Sequence, residues 1–206
     1  MFSKEFKKVL EDNGFSGLSI EVDTHSNLLK EFEEDYITSI NFKIKSILEE
    51  DGDEVVIALI SFQQIEVLLD NLYDTSESEL FYTMDAISQE LCELAEGLGI
   101  VSGNINEELE SCLIDNFLIY LSRFEIIPKL RNLGLGSEIL KLLPKMLENV
   151  LNFKPTNITL IASPFEYNED EKNYKIMLRK LKKFYKKAGY IECSHNDVMY
   201  LLTNTL

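Results

Sequence analysis

The sequence is poor in the residues that mark several common protein classes. It has no tryptophan and only three cysteines, two histidines and four prolines in 206 residues. Cys92, Cys112 and Cys193 are odd in number and widely spaced, which argues against a disulfide framework. Neither these cysteines nor His25 and His195 have the spacing of metal ligands, so we predict no metal site.

Long apolar segments are also missing. No run of 18 or more apolar residues occurs, so we expect no transmembrane helix and no membrane partner. Residues 1–8, Met-Phe-Ser-Lys-Glu-Phe-Lys-Lys, lack the apolar segment of a secretory signal. Together with cysteines that read as reduced thiols, these features predict a cytoplasmic protein.

Basic residues are scarce and unevenly placed. The chain has 20 Lys and Arg against 36 Asp and Glu, a net charge of −16. Residues 1–110 carry a net charge of −20, and residues 111–206 carry +4. The acidic half predicts repulsion of nucleic acid and attraction of a cationic partner. The alternative is that the acidic surface only keeps the protein soluble.

One glycine-containing turn stands between a predicted strand and a predicted helix. The apolar run Phe117–Ile127 predicts the strand, Glu138–Leu143 begins the helix, and Arg131–Ser137 connects them. This layout directs free backbone N–H groups at an anion. Gly134 and Gly136 let the backbone approach a ligand closely, because neither has a Cβ. A tight turn without a ligand is the alternative.

Two nucleotide-binding motifs fit this turn poorly. A P-loop needs Lys and then Ser or Thr after its second glycine, where this chain has Ser137 and Glu138. The dinucleotide motif G-x-G-x-x-G needs a third glycine at Ile139, and no clear βαβ unit follows.

A third pattern fits at every position. Residues 126–136 read Ile-Ile-Pro-Lys-Leu-Arg-Asn-Leu-Gly-Leu-Gly. They resemble the acetyl-CoA-binding motif of the GNAT N-acyltransferase superfamily: an aliphatic strand end, then x-Pro-x-x-(Arg/Gln)-x-x-Gly-x-(Gly/Ala), then a helix. Residues 184–190, Phe-Tyr-Lys-Lys-Ala-Gly-Tyr, are similar to the family's Phe-Tyr-x-x-x-Gly-Phe signature. The resemblance is specific from position 115 to position 204.

The resemblance implies a fold of the α+β or α/β class, with a GNAT-like mixed, mostly antiparallel, splayed central sheet flanked by helices. Hydrophobic periodicity predicts compatible elements. The helices are expected at Ser3–Asp12, Ser78–Leu98 and Tyr174–Ala188, and the strands at Gly17–Val22, Ile37–Leu48, Glu54–Phe62 and Asn157–Ala162, with two more strands at the end. Residues 26–36 are ambiguous. Pro144 is expected to kink the helix after the motif or to make it restart.

We expect a single GNAT-like domain over residues 1–206. Residues 1–65 would form the acidic N-terminal helix and strands. Residues 66–112 would be a helical insertion, and residues 113–206 the acyl-CoA-binding core.

The resemblance also implies a cofactor, acetyl-CoA or another acyl-CoA, and the residues that would hold it. Backbone at Ile126 and Ile127 would bind the pantetheine arm. The pyrophosphate would be held by the backbone N–H groups of seven residues: Arg131, Asn132, Leu133, Gly134, Leu135, Gly136 and Ser137.

Tyr185 occupies the tyrosine position of the second signature, which implies that it protonates the leaving thiolate. A core aromatic residue is the alternative. Leu178 stands where many family members have Asn, and this is a departure from the pattern. Glu125 is the first candidate for the general base, with Asp115 and Glu166 behind it. Exposed charge is the alternative role for all three.

The sequence therefore predicts an N-acyltransferase that moves an acyl group, in the first instance acetyl, from CoA to an amine. The acidic half favours a cationic acceptor such as a polyamine, an aminoglycoside or a basic peptide. The alternative is a non-catalytic GNAT-fold protein that binds a basic protein or senses CoA. Homodimers are common in this family, and no segment of the sequence argues for one.

Overall fold

A computed structural model describes residues 2–26, 37–66, 88–100, 117–164, 171–193 and 197–203. Within these ranges the chain forms four α-helices and seven strands, in the following order: α1 Lys4–Asp12, β1 Phe15–Ser26, β2 Ile37–Leu48, β3 Glu54–Glu66, α2 Gln89–Leu98, β4 Phe117–Ile126, α3 Leu135–Leu151, β5 Asn157–Ile161, α4 Glu171–Lys187, β6 Ile191–Glu192 and β7 Val198–Leu202.

The strands form a mixed sheet in the order β1-β2-β3-β4-β5-β7-β6. Strand β1 pairs antiparallel with β2, as do β5 and β6 with β7, whereas β4 and β5 are parallel. The predicted fold class, a mixed and mostly antiparallel sheet with helices, is therefore confirmed.

The chain divides into two compact units. Unit 1 contains Met1–Gln64 and Leu121–Lys154, and unit 2 contains Ile65–Tyr120 and Pro155–Leu206. The partition at residues 65 and 112 that we expected from the sequence stays a prediction.

Unit 1 begins with a capped helix and a long antiparallel strand pair. The Ser3 hydroxyl accepts a hydrogen bond from the Phe6 N–H and so caps α1, which buries Phe6 and Leu10. In β2, alternate residues such as Ile40 and Phe42 are buried, as period-2 patterning predicts. The predicted helix at Ser3–Asp12 and the strands in this unit are confirmed, with β1 and β3 longer than expected.

Helix α3 continues through Pro144 and does not restart there. Proline removes only its own N–H from the hydrogen-bond ladder. Apolar side chains before and after it, including Leu143 and Leu147, are buried and hold both halves in one helix.

In unit 2, the predicted helix Ser78–Leu98 does not run unbroken through Ser88, and residues 78–87 lie outside the described ranges. Ser88 is in extended conformation, and its hydroxyl accepts the Leu91 N–H, so α2 begins at Gln89. Serine favours such a cap over a place inside a helix, because its side chain competes for backbone groups. Leu91 and Leu94 lie in the core as predicted.

The parallel contact between β4 and β5 is recorded at a single pair, Tyr120 opposite Thr159. Side chains extend it. The Asn157 amide donates to the Phe117 carbonyl and accepts from the Ile119 N–H, at 3.0 and 3.2 Å. The Thr159 hydroxyl donates to the Ile119 carbonyl at 3.2 Å. Buried polar side chains thus take the place of backbone partners at this edge of β4.

Helix α4 ends at Lys187 and is followed by Gly189, which has a φ of +98°. The N–H groups of Gly189 and Tyr190 donate to the carbonyls of Lys186 and Tyr185, as expected of a glycine C-cap. The predicted helix is confirmed. Its helical spacing places Met177 on the core face, but Met177 is 37% exposed.

None of the helices within the described ranges is long and apolar enough to cross a membrane. Predictions for residues 27–36 and 78–87 and for the base candidates Asp115 and Glu166 lie outside those ranges.

Candidate functional site

The turn that follows β4 in unit 1 is held by its own backbone and by one arginine. Pro128–Leu130 form a single 3-10 turn, and Leu130 is buried. The Arg131 Nε then donates to the Ile126 carbonyl at 2.8 Å, which ties the loop back to the end of the strand. The Ile127 N–H donates to the Ile57 carbonyl in β3 at 3.1 Å. The two residues predicted to bind pantetheine therefore already have internal hydrogen bonds, although a carbonyl oxygen can accept a second one.

The start of α3 has an open set of backbone donors. Gly134 is the N-cap, with φ +85° and ψ −12°, and no side chain caps the helix. Asn132 also has a positive φ, +63°. Among the described residues, no hydrogen bond engages the N–H groups of positions 132–136. Together with the positive end of the helix dipole, these donors favour an anion.

One acidic side chain lies in the first turn of α3. The Glu138 carboxylate accepts from the Ser3 N–H at 2.6 Å and from the Ser3 hydroxyl at 2.8 Å. These bonds direct Glu138 toward the start of α1, so its carboxylate serves a different helix terminus.

Glu125, the first candidate for a general base, is in an ion pair. The Arg123 guanidinium donates to the Glu125 carboxylate at 2.6 Å, and both side chains are well exposed. Both side chains contact solvent, so the Glu125 carboxylate has the surroundings of a surface charge and not those of a buried general base.

Tyr185 lies on α4, in unit 2, and is 7% exposed. Its ring packs against Phe184 and Tyr190, with centroid distances of 5.3 and 5.5 Å. Burial raises the pKa of Tyr185 to about 12, so the hydroxyl keeps its proton at neutral pH. No hydrogen bond joins that hydroxyl to another part of the chain that the structure describes.

Tyr120 and Tyr190 are two more of the buried tyrosines of unit 2, and the sequence analysis gave neither of them a role. The Tyr120 hydroxyl donates to Glu90 at 2.6 Å, and burial is the main cause of its raised pKa. The Tyr190 hydroxyl is buried without a hydrogen-bond partner, and burial raises its pKa too. Tyr185 interacts electrostatically with both of them, so the three phenols form one cluster.

An acidic cavity of about 470 Å³ lies next to this cluster, because Glu90 belongs to both. Its lining consists of Glu90, Glu93 and Glu96 of α2, residues 161–163 at the end of β5, Tyr174 and Asp197. The spacing of three residues puts the glutamates on one face of α2. That spacing is visible in the sequence, but the position of Asp197 beside these glutamates is not.

No protein-family model and no curated protein matches this chain. Similar solved structures include a KacTA–DNA complex, with a TM-score of 0.45 and 11% identity over 92% of this chain and 95% of that one. A mutant of KacT gives a TM-score of 0.45 and 10% identity over 91% and 96% of the two chains. A structure titled as a bacterial toxin gives 0.40 and 12% over 81% and 69%. At such identities the likeness concerns the fold alone.

Proposed function

We propose that this protein is an acyl-CoA-dependent N-acyltransferase of the GNAT type. The observation that carries the proposal is the start of α3, where five consecutive backbone N–H groups have no partner among the described residues. They follow a strand end whose sequence matches the CoA motif position by position. Residues 131–137 would hold the pyrophosphate of acetyl-CoA or another acyl-CoA, which supplies the activated acyl group.

The geometry of the turn fits a bound phosphate better than a turn with no ligand. A Ser, Thr, Asp or Asn side chain at the N-cap would occupy one of the free N–H groups, whereas glycine leaves them all open and also accommodates the φ of +85°. This chain has glycine there, and added atoms at the Gly134 Cβ position would meet nothing within 4 Å. The space and the donors are both available to an anion.

Tyr185 would act as the proton donor to the leaving thiolate. A donor must be protonated at the working pH, and a pKa of about 12 meets that requirement. Leaving groups gain most from a donor that is buried and fixed, and its ring contacts with Phe184 and Tyr190 fix it. For the general base, Glu125 stays a prediction, and its pairing with Arg123 speaks against it.

The acceptor would be a cationic amine. The acidic cavity supports this choice, because four carboxylates line it and the Tyr120–Glu90 hydrogen bond fixes one of them. A polyamine, an aminoglycoside or a lysine-rich peptide would each place positive charge there. The net charge of −20 over residues 1–110 would raise the local concentration of such acceptors.

The test compares two asparagines at opposite ends of α3. Asn132 lies in the proposed phosphate turn and Asn152 is the C-cap, and both have positive φ, +63° and +58°. Asn132→Asp adds a negative charge beside the N–H groups, and like charges a few ångströms apart cost about 1 kcal/mol in water. We expect CoA to bind Asn132→Asp about fivefold or more weakly, measured by isothermal titration.

Asn152→Asp is the matched control, because it makes the same change in the same backbone conformation. We expect it to leave the CoA affinity unchanged and to destabilise the helix by about 0.3–1 kcal/mol, since a carboxylate opposes the dipole at a C-terminus. If the wild type binds no CoA, or if both variants weaken it equally, the proposed cofactor site is wrong.

Thiol release then separates an enzyme from a non-catalytic CoA sensor. Acetyl-CoA is mixed with spermidine or with an uncharged amine, and the free thiol is titrated. We expect faster release with spermidine, and Glu93→Gln should raise the KM for spermidine more than for the uncharged amine. CoA binding without any release would favour the sensor.

A further inference from the structure

Helix α4 concentrates positive charge in a strongly acidic protein. Eight of the 20 basic residues of the chain lie in these 17 residues, against a single acid, Glu171. Six of the eight share one face through spacings of three and four residues: Lys172, Lys175, Arg179, Lys182, Lys183 and Lys186. We call this set the α4 cationic face.

The α4 cationic face lines two adjoining grooves of unit 2. One groove, of about 620 Å³, runs along Lys175, Arg179, Lys182, Lys183 and Lys186, with Leu178 and Glu192 completing it. The other, of about 460 Å³, is lined by Lys172, Lys175, Ile176 and Arg179. Because Lys175 and Arg179 belong to both, the two grooves make one cationic track along the helix.

Internal ion pairs explain only part of this charge. Lys182 pairs with Asp197 at 2.6 Å and also contacts Glu192, which Lys186 contacts at 2.5 Å. These acids fix the base of the track. Arg179 and Lys183, by contrast, make no ion pair with any residue of the described ranges.

The helix itself gains little from this arrangement. Cations near a helix C-terminus complement the dipole, but Lys172 and Lys175 lie near the N-terminal end, where it disfavours them. Arg179 and Lys183 are four residues apart, and such like-charge pairs cost about 0.2–0.5 kcal/mol. An outside anion between Arg179 and Lys183 would offset the repulsion of this pair.

We propose that the α4 cationic face binds the phosphodiester backbone of a nucleic acid. A helix of 17 residues is about 25 Å long, which matches about seven phosphates of one strand. Neither the acyltransferase site nor its CoA turn is needed for this binding. The acidic balance of the whole chain predicted no nucleic acid, but α4 departs from that balance locally.

Other anionic partners fit this face less well. A membrane-binding helix inserts its apolar side, but in α4 that side includes Tyr185, which is buried in unit 2. A protein interface draws its energy from aromatic and aliphatic anchors at its centre. The track is lined almost wholly by lysine and arginine, with Leu178 and Ile176 as its apolar members.

The experiment measures fluorescence anisotropy of labelled oligonucleotides, single-stranded RNA and duplex DNA of about 20 nucleotides, between 50 and 200 mM KCl. We expect affinity to fall with salt, with a slope of log K against log salt of about −1.4 or steeper, the value for the two contacts of Arg179 and Lys183 on a single strand. The two oligonucleotides distinguish a single strand from a duplex as the source of the phosphates.

The variant is Arg179→Gln/Lys183→Gln, and the matched control is Lys4→Gln/Lys8→Gln on α1. In both pairs the two residues are exposed and lie four positions apart on a helix, and each double substitution removes two positive charges. We expect the α4 variant to bind at least tenfold more weakly at 50 mM salt and to lose about 1.4 from the slope. The control should match the wild type, and circular dichroism checks both folds.

Four results would overturn the proposal: no binding at 50 mM salt, equal weakening in the α1 control, displacement of the oligonucleotide by CoA, or a preference for polyglutamate or for phosphatidylserine vesicles. Displacement by CoA would assign the track to the cofactor's phosphates. Preference for polyglutamate or vesicles would assign it to an acidic protein or a membrane. Loss of CoA binding in Asn132→Asp has no bearing on this outcome.

Discussion

The hydroxyls of three buried tyrosines in unit 2 have different surroundings, and these surroundings decide what each can do. Tyr120 donates to Glu90. Tyr190 is buried with no partner for its hydroxyl. Tyr185 has a pKa of about 12 and makes no hydrogen bond with other described residues. Only Tyr185 combines a retained proton with the position of the family's signature tyrosine.

Substituting Tyr185→Phe therefore should slow acyl transfer about tenfold to a hundredfold and leave the CoA affinity unchanged. General-acid donation contributes about 10²–10⁴ in rate, and the low pKa of a thiol makes the lower end apply. The measurement is kcat from thiol release beside Kd from titration.

Tyr190→Phe is the control for that experiment, because it removes a neighbouring buried hydroxyl. We expect full activity and a stability equal to or about 1 kcal/mol above that of the wild type, since an unpaired buried hydroxyl is costly. Wild-type rates in Tyr185→Phe would make Tyr185 a core aromatic residue and nothing more.

At the scale of elements, α3 has an uncapped N-terminus and a proline near its centre. Its first turn offers free N–H groups, while Pro144 leaves the Leu140 carbonyl without its usual partner in the ladder. The buried residues on both sides of Pro144 keep the helix in one piece. The two features are independent, because Pro144 lies about two helical turns beyond Ser137, the last residue of the proposed phosphate turn.

Pro144→Ala tests how much the proline destabilises α3. The change restores an N–H donor and relieves the ring, so we expect the free energy of unfolding to rise by about 1–3 kcal/mol in urea titrations. Lys141→Ala, exposed on the same helix, should stay within about 0.5 kcal/mol of the wild type. A destabilised Pro144→Ala would mean that the proline ring is needed for packing, and CoA affinity should be unaffected in both variants.

On the scale of the whole molecule, charge is sorted by element. Glutamates of α2 line a cavity, and lysines of α4 line an outer track, although both belong to unit 2. Lys182 joins the two, since its partner Asp197 also lines the cavity. The net charge of −16 hides this separation.

We expect the free energy of unfolding to fall at alkaline pH because of buried tyrosines. Burial raises the pKa of Tyr120, Tyr185 and Tyr190 above the ordinary value of about 10. A group whose pKa is higher in the folded than in the unfolded protein contributes its full stability below the unfolded-state pKa. That stability is lost as the pH rises toward and through the folded-state pKa. Cys193, with a pKa raised to about 11 by burial, acts in the same direction.

We therefore expect urea midpoints to be constant between pH 7 and 9 and to fall above pH 10. Each tyrosine contributes up to about 1.4 kcal/mol per pH unit. Tyr190→Phe should fall less steeply, because one of the three phenols is gone. A flat profile up to pH 12 would mean that the phenols become accessible without unfolding.

Local chemistry let the sequence by itself determine much of this protein. Period-2 and 3.6-residue patterns located β2 and α4, because side chains on one face repeat at the period of the backbone, and continuous apolar runs located β3 and β4. The motif at residues 126–136 located the turn before α3, since glycine spacing is a local property. The break at Ser88 was not predicted, because the hydrophobic period continues across a serine whether it lies inside a helix or caps one.

Only the tertiary structure decided which distant residues meet. Glu90 and Tyr120 are 30 positions apart, and Asp197 reaches the cavity of α2 from the other end of the chain. Ser3 binds the Glu138 carboxylate across 135 positions and directs it toward the start of α1. Such contacts depend on how strands order in the sheet, and no local pattern encodes that order. The sequence thus determined the elements and the turn at residues 131–137 that we propose as the phosphate site, whereas packing decided the acidic cavity, the burial of Tyr185 and the exposure of the α4 cationic face.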